Sequence, residues 1–340
     1  MSEKIKVGVV GVGDFGRNHV RIYRALEQAP PTAGQAELVG VFDTDAARAQ
    51  AVAKEFGTRA FPSRDALAAE CKAVSLAVPT RDHARVGVEL LNRNVDVLVE
   101  KPIASTLAEA DELIAAAQGR GRILQVGHTE RFNPAVTAAA RVVAQPLFFE
   151  VHRLGVFSGR SLDVDVIFDL MIHDLDILLS FVPGEVERVH AVGIPILSPR
   201  VDIASVRLEF GNGCVANLTA SRVSTEKVRK LRFFQPHAYV SIDFARRDAL
   251  LIRVKPGSTP TTSPLGLPSG LEIRKLETED EEPLRAELRA FLEAVRTRRP
   301  APAHGAEARR ALALAERVAA GIAEHANKLS VPLPAPQASN

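Results

Sequence analysis

The chain has 340 residues, too many for one ordinary hydrophobic core and suited to two domains. It is 46% hydrophobic and 25% charged, as globular chains are, and its 43 Lys plus Arg nearly balance 41 Asp plus Glu. That balance gives no reason to expect nucleic acid or an acidic membrane surface as a partner. Two distant cysteines, Cys71 and Cys214, suit neither a disulfide framework nor a zinc site, and no metal site is expected. No apolar run has the length of a membrane span. The first residues, Met1 to Lys6, carry neither the apolar core of a secretion signal nor twin arginines, so the expected location is the cytoplasm.

In chain order, Ile5 to Val10 reads as a strand and Phe15 to Leu26 as a helix. Glu37 to Phe42 is a second strand and Ala46 to Phe56 its helix. Ala73 to Val78, Asp82 to Arg93 and Val95 to Val99 continue the alternation. Leu107 to Gln118 and Ile123 to Val126 close it. Strands and helices alternating at this length predict a doubly wound parallel sheet with right-handed crossovers, α/β in class.

After Gly127 the rhythm changes. Pro134 to Val143 reads as a helix, Leu147 to Arg153 as a strand and about Val166 to Phe181 as a helix. Val206, Leu208 and Phe210 then alternate with polar residues, as do Val240, Ile242 and Phe244. This period of two predicts a mostly antiparallel open sheet, so the second domain is α+β. Lys255 to Gly270, dense in Pro, Ser, Thr and Gly, reads as a loop. Leu284 to Val295 and Glu307 to Ala326 are the closing helices. The expected division is 1–127 for cofactor binding, 128–330 for substrate binding and oligomerisation, and a tail at 331–340.

Gly11-Val12-Gly13-Asp14-Phe15-Gly16 follows the first strand and opens the first helix, the context that a dinucleotide fingerprint requires. Gly11 would permit the tight turn, Gly13 a close approach to pyrophosphate, and Gly16 the packing of helix on strand. Asp14 and Phe15 ride on the same turn, whose helix N-terminus suits phosphate. Asp43 ends the second strand, where a carboxylate accepts the ribose hydroxyls and repels a 2′-phosphate, so NAD is favoured over NADP. The alternative is that Asp43 caps the helix beginning near Ala46. Pro79, Thr80 and His83 follow the strand ending at Val78 and are expected to line the cofactor, with His83 as a plain helix-start residue the alternative.

Glu100-Lys101-Pro102 ends the strand Val95 to Val99, on the edge where ligands of parallel sheets bind. Asp169 and His173, four apart, share a helix face with Asp176, while Asp174 points elsewhere. An acid and an imidazole suit oxidation of a secondary alcohol, in which a base takes the hydroxyl proton as hydride leaves carbon. Lys101 either lowers the alcohol's effective pKa by its charge or is itself the base. Gln125 lies on the last strand of the first series. Arg131 and Asn133 are expected to touch substrate or nicotinamide, with a structural bridge between domains the alternative for Arg131.

Taken together, these residues resemble the glucose–fructose oxidoreductase / inositol dehydrogenase family (Gfo/Idh/MocA). The resemblance runs from Gly11-x-Gly13-x-x-Gly16 and Asp43 through Pro79-x-x-x-His83 and Glu100-Lys101-Pro102 to Asp169-x-x-x-His173 and the helix after His304-Gly305. It implies a Rossmann domain before a mostly antiparallel one, NAD as cofactor, a homodimer or homotetramer, and Lys101, Asp169 and His173 as the catalytic trio. It implies Glu100, Lys101 and Gln125 as cofactor contacts and Lys101–Pro102 as a candidate cis peptide. Residues 127–135 and 169–176 resemble the UDP-N-acetylglucosamine 3-dehydrogenase branch, whose keto product an aminotransferase takes towards cell-envelope glycolipids such as lipopolysaccharide. That branch implies a nucleotide-sugar substrate, and Arg131, Arg153 and Arg160 are available to its diphosphate. A dehydrogenase of free inositol or hexose and a non-catalytic NAD-sensing regulator are the alternatives.

Overall fold

The computed structural model describes residues 4–28, 36–157, 164–259, 261–262 and 268–328. The chain divides into two compact units. The first runs to Phe132 and includes Glu281–Leu312; the second holds Asn133–Asp280 and the chain from Ala313 onward.

The first unit begins with β1 (Ile5–Val10), α1 (Asp14–Gln28), β2 (Ala36–Phe42) and α2 (Ala46–Phe56). Next come β3 (Arg59–Ala60), α3 (Arg64–Glu70), β4 (Ala73–Leu76), a 3-10 turn at Thr80–Asp82 and α4 (His83–Asn92). β5 (Asp96–Glu100), α5 (Leu107–Gly119) and β6 (Leu124–Gly127) complete the series. Among the described residues these strands form one parallel six-stranded sheet in the order β3-β2-β1-β4-β5-β6. Helices cover both faces, so Ala73–Leu76 is buried throughout and β1 nearly so, with Lys6 its one exposed residue. The order reverses between β1 and β4, and a ligand crevice opens at the carboxyl ends flanking such a reversal.

Local chemistry fixes the helix ends. Asp45 caps α2 by accepting from Arg48 N–H, and Gly57 ends it in the left-handed region at φ +63°. Thr106 and Glu109 form a reciprocal capping box on α5. Two elements between expected ones, β3 and α3, add an edge strand and a short helix where the sequence pattern showed neither.

The second unit contains α6 (Pro134–Ala140), β7 (Phe148–Val156), a π-helical stretch at Ile167–Met171 and α7 (Ile172–Phe181). The strands β8 (Val186–Ile194), β9 (Ile203–Phe210), β10 (Val215–Ser224) and β11 (Val228–Gln235) follow. Then come β12 (Ala238–Asp243), β13 (Asp248–Val254), the two-residue strands β14 (Thr261–Thr262) and β15 (Pro268–Ser269), and β16 (Leu271–Lys275). The eight-stranded sheet runs β16-β13-β12-β11-β7-β10-β9-β8, antiparallel except where β10 pairs with β7. Phe149, Val151, Leu208, Leu231 and Phe233 are buried on one face, and Phe181 of α7 meets Phe233 edge-on at 6.0 Å. On the alternate positions Phe148, Phe234 and Tyr239 stack in sequence, with centroids 5.7 and 5.1 Å apart.

The expected boundaries put residues 281–312 in the second domain; the compact units put them in the first. The cause is the apolar stripe of α8 (Pro283–Thr297), whose Leu288, Phe291, Leu292 and Val295 join Val7, Tyr23 and Leu98 in one core. Arg298, just beyond it, grips the fully buried Asp96 carboxylate with two nitrogens, at 2.6 and 3.1 Å. α9 (Gly305–Ala326) begins in the first unit and ends in the second. The expected tail, 331–340, lies outside the described residues.

Phe291 is fully buried. Phe291→Ala should therefore destabilise the first unit by about 3–5 kcal/mol. Hydrogen exchange should show the loss in β1, far away in sequence; exchange unchanged in β1 would detach α8 from this core.

Candidate active site

The crevice at the β1–β4 reversal is a cavity of about 610 Å³. Gly11 forms its floor. At φ +82° it holds a conformation that side chains disfavour, and its N–H donates to the Phe42 carbonyl at 2.8 Å. A Cβ on Gly16 would run into the Gly11 carbonyl, so glycine there lets α1 start directly behind the turn. A Cβ on Gly13 would meet nothing within 4 Å, which leaves that backbone open for close approach from the cavity. Gly13, Asp14 and the exposed Phe15 line one wall.

Asp43, Thr44 and Arg48 line another wall. The buried Asp43 carboxylate accepts the Val12 N–H at 2.8 Å and the Asp45 N–H at 2.9 Å, tying the end of β2 to the glycine turn. It does not cap α2, because Asp45 holds that position. Arg48 reaches Asp43 at 3.5 Å. Pro79 joins Ala77 and Val78 on the β4 side, and Arg64, Arg81 and Arg85 complete the lining. Thr80 opens the 3-10 turn that follows Pro79. A glycine turn with open backbone, the start of a helix and a carboxylate at the end of β2 fit the pyrophosphate and ribose of NAD.

Lys101 leaves the carboxyl end of β5, and Lys101–Pro102 is cis. The Glu100 carboxylate accepts from His19 Nε2 at 2.8 Å and from the Lys101 backbone N–H at 3.3 Å. Burial alone would raise its pKa, but the His19 bond and the Lys101 charge outweigh burial and hold it below the usual carboxylate range. Two expected cofactor contacts are held by protein partners of their own. His83 is buried, with Nδ1 and Nε2 each 2.9 Å from a carbonyl oxygen, those of Pro102 and Val78. It braces the chain just after Lys101 instead of lining the cavity, and burial pushes its pKa down. Gln125 is fully buried and donates to the Glu287 carbonyl at 3.2 Å, an internal strut between β6 and α8.

Arg131 pairs with Glu307 at 2.9 Å, both within the first unit, so this ion pair is not a bridge between domains. Asn133 is buried; it caps α6 through the Ala135 N–H and donates to the Phe244 carbonyl at 3.1 Å. Arg153 is buried, bound through two nitrogens to the buried Asp174 at 2.7 and 2.8 Å, with Phe244 under its guanidinium. Arg160 lies outside the described residues.

Asp169 and His173 are both half-buried, while Asp174 and Asp176 beside them are buried. Asp169 sits in the π-helical stretch, a widened turn that recurs at functional sites, where the sequence predicted plain α-helix. His19, Arg64, Arg81 and Arg85 were missed by sequence reasoning. For His19 a signal existed: a polar residue among Gly16, Val20, Tyr23 and Leu26 on the buried stripe of α1. Among the described residues no group of three His, Cys, Asp or Glu could hold a metal, and no helix is long and apolar enough to cross a membrane.

Residues 5–128 match the model of an oxidoreductase family with an NAD-binding Rossmann fold, and residues 153–238 match the GFO/IDH/MocA C-terminal domain. The chain is 39% identical over 319 residues to UDP-N-acetylglucosamine 3-dehydrogenase of Acidithiobacillus ferrooxidans, covering 94% of this chain and 97% of that one. A solved structure of that enzyme superposes with TM-score 0.84 at 37% identity, over 94% of this chain and 98% of the other. An inositol 2-dehydrogenase of Rubrobacter xylanophilus is 30% identical over 66% of each chain.

Two substitutions check this geometry. Arg153→Ala breaks the buried two-nitrogen ion pair with Asp174 and should cost about 3–5 kcal/mol of stability. An unchanged melting temperature with a raised substrate KM would return Arg153 to a substrate role. Asp43→Ala removes the acceptor for Val12 N–H and should weaken NAD binding by about 10- to 100-fold in a fluorescence titration. Undiminished NAD affinity would take Asp43 out of the cofactor site.

Proposed function

The chain belongs to the GFO/IDH/MocA oxidoreductase family, with an NAD-binding Rossmann domain, and from that premise we propose that it oxidises the 3-hydroxyl of UDP-N-acetylglucosamine to the 3-keto sugar. The observation that carries the substrate is the 39% identity to an enzyme of that name, which runs through both domains and spans 97% of the relative.

The glycine turn and the start of α1 hold the pyrophosphate, and Asp43 accepts the adenosine ribose hydroxyls. When bound, NAD supplies the hydride acceptor at C4 of its nicotinamide ring. Lys101, Asp169 and His173 act as the catalytic trio on the 3-hydroxyl. The Lys101 ammonium stabilises the developing alkoxide, His173 takes the hydroxyl proton, and Asp169 orients the imidazole. Histidine suits the proton step because it titrates close to neutral pH. Further parts of the proposal are a cytoplasmic homodimer or homotetramer and an aminotransferase that takes the keto sugar towards lipopolysaccharide. The stacked Phe148, Phe234 and Tyr239 on the eight-stranded sheet support self-association.

With UDP-N-acetylglucosamine, and an aminotransferase present to draw off the ketone, the wild-type protein should form NADH. Lys101→Met and His173→Ala should each lower kcat by about 10²- to 10⁴-fold. UDP should raise the melting temperature beyond NAD alone, because a ligand that binds only the folded state stabilises it. Oxidation of myo-inositol with no effect of UDP would favour a free-polyol dehydrogenase. NAD binding without turnover of any UDP-hexosamine would contradict the assignment.

A further inference from the structure

His19 has no part in the chemistry described so far. It is fully buried in the second turn of α1, the helix that starts at the glycine turn, and 81 residues from its partner. Its Nε2 lies 2.8 Å from Glu100 Oε1, and since a carboxylate only accepts, Nε2 is the donor. Among the described residues Nδ1 has no hydrogen-bond partner, so this one bond is the ring's whole polar engagement. The other oxygen of Glu100 accepts the Lys101 backbone N–H. Across from it, a Cβ on Gly127 would stand 2.9 Å from Glu100 Oε2, so the niche for this carboxylate exists because β6 ends in glycine.

The residue before the cis bond is thus fixed through a relay that begins on a different helix. His83 does the corresponding task on the far side, at the Pro102 carbonyl. A lysine side chain has long rotamer freedom, so the direction of its backbone exit decides where the ammonium can reach.

We propose that His19 is a positioning residue for Lys101: by clamping the Glu100 carboxylate it fixes the backbone from which the lysine side chain departs. The inference rests on the reading of Lys101 as catalytic. It also ties the lysine to α1, so that the helix holding the cofactor pyrophosphate and the strand end holding the ammonium share one hydrogen bond.

The test compares His19→Ala, His19→Gln and Lys101→Met with the wild-type protein. Gln carries an amide N–H at the reach of Nε2, so it restores the bond without an imidazole. Two readouts are taken: amide hydrogen exchange at Lys101 in the protein alone, and kcat, KM and NAD affinity with UDP-N-acetylglucosamine. In His19→Ala the Lys101 amide should exchange about tenfold faster. Its kcat should fall by about 10- to 100-fold while NAD affinity stays within about twofold. Gln should recover most of both losses. Unchanged exchange at Lys101 in His19→Ala overturns the proposal, with or without turnover of this substrate. So does an unchanged kcat in His19→Ala while Lys101→Met is inactive. Full activity of Lys101→Met instead removes the catalytic reading of the lysine, and the positioning role with it.

Discussion

A parallel sheet delivers every strand's carboxyl end to one edge, and the first unit follows from that constraint. The glycine turn after β1, Asp43 after β2, Pro79 after β4 and Lys101 after β5 occupy one edge because all six strands run the same way. The reversal of strand order between β1 and β4 splays the crossovers apart and opens the cavity there. The edge is then tightened by bonds between neighbouring strand ends. Asp43 accepts from Val12, Gly11 donates to Phe42, and Glu100 is held from α1 by His19. These bonds make the edge a rigid frame, which is what a hydride acceptor and a reacting carbon require.

The second unit solves a different problem with other means. Its mostly antiparallel sheet needs helices on only one face, and α7 supplies buried apolar residues to that side. The helix, together with the π-helical turn before it, carries two opposite kinds of polar residue. Asp174 is buried and neutralised by Arg153, so it fixes the helix on β7, whereas Asp169 and His173 keep part of their surface in solvent. A buried ion pair contributes little net stability against an apolar alternative, yet losing one member leaves a stranded charge. The Arg153–Asp174 pair is best understood as registering α7 against the sheet.

Much of this was legible in the residues because the signals were local. Strand, glycine turn and helix lie within 24 residues at Ile5–Gln28, and β1 and α2 have the expected boundaries. Strands buried on both faces read as apolar runs, and the antiparallel strands read as alternation. What failed was long-range. Periodicity shows that α8 buries a stripe but not which core receives it, so the packing of residues 281–312 with the first unit is not legible in the pattern. The protein partners of polar residues near strand ends were equally out of reach, since Asn133, Gln125 and Arg153 meet theirs 111, 162 and 21 residues away. The two-residue β3 and seven-residue α3 are too short for a period to emerge. A π-helical turn shares its hydrophobic pattern with an α-helix, so the widening at Asp169 left no trace in the sequence.

The central claim is that hydrogen leaves C3 of the sugar as hydride and reaches the nicotinamide. Supplying UDP-N-acetylglucosamine deuterated at C3, with unlabelled NAD, and weighing the reduced cofactor tests it directly. The account predicts one deuterium in each NADH formed, together with a 3-keto sugar that has lost it. NADH free of deuterium, or a keto sugar that retains the label, would contradict it.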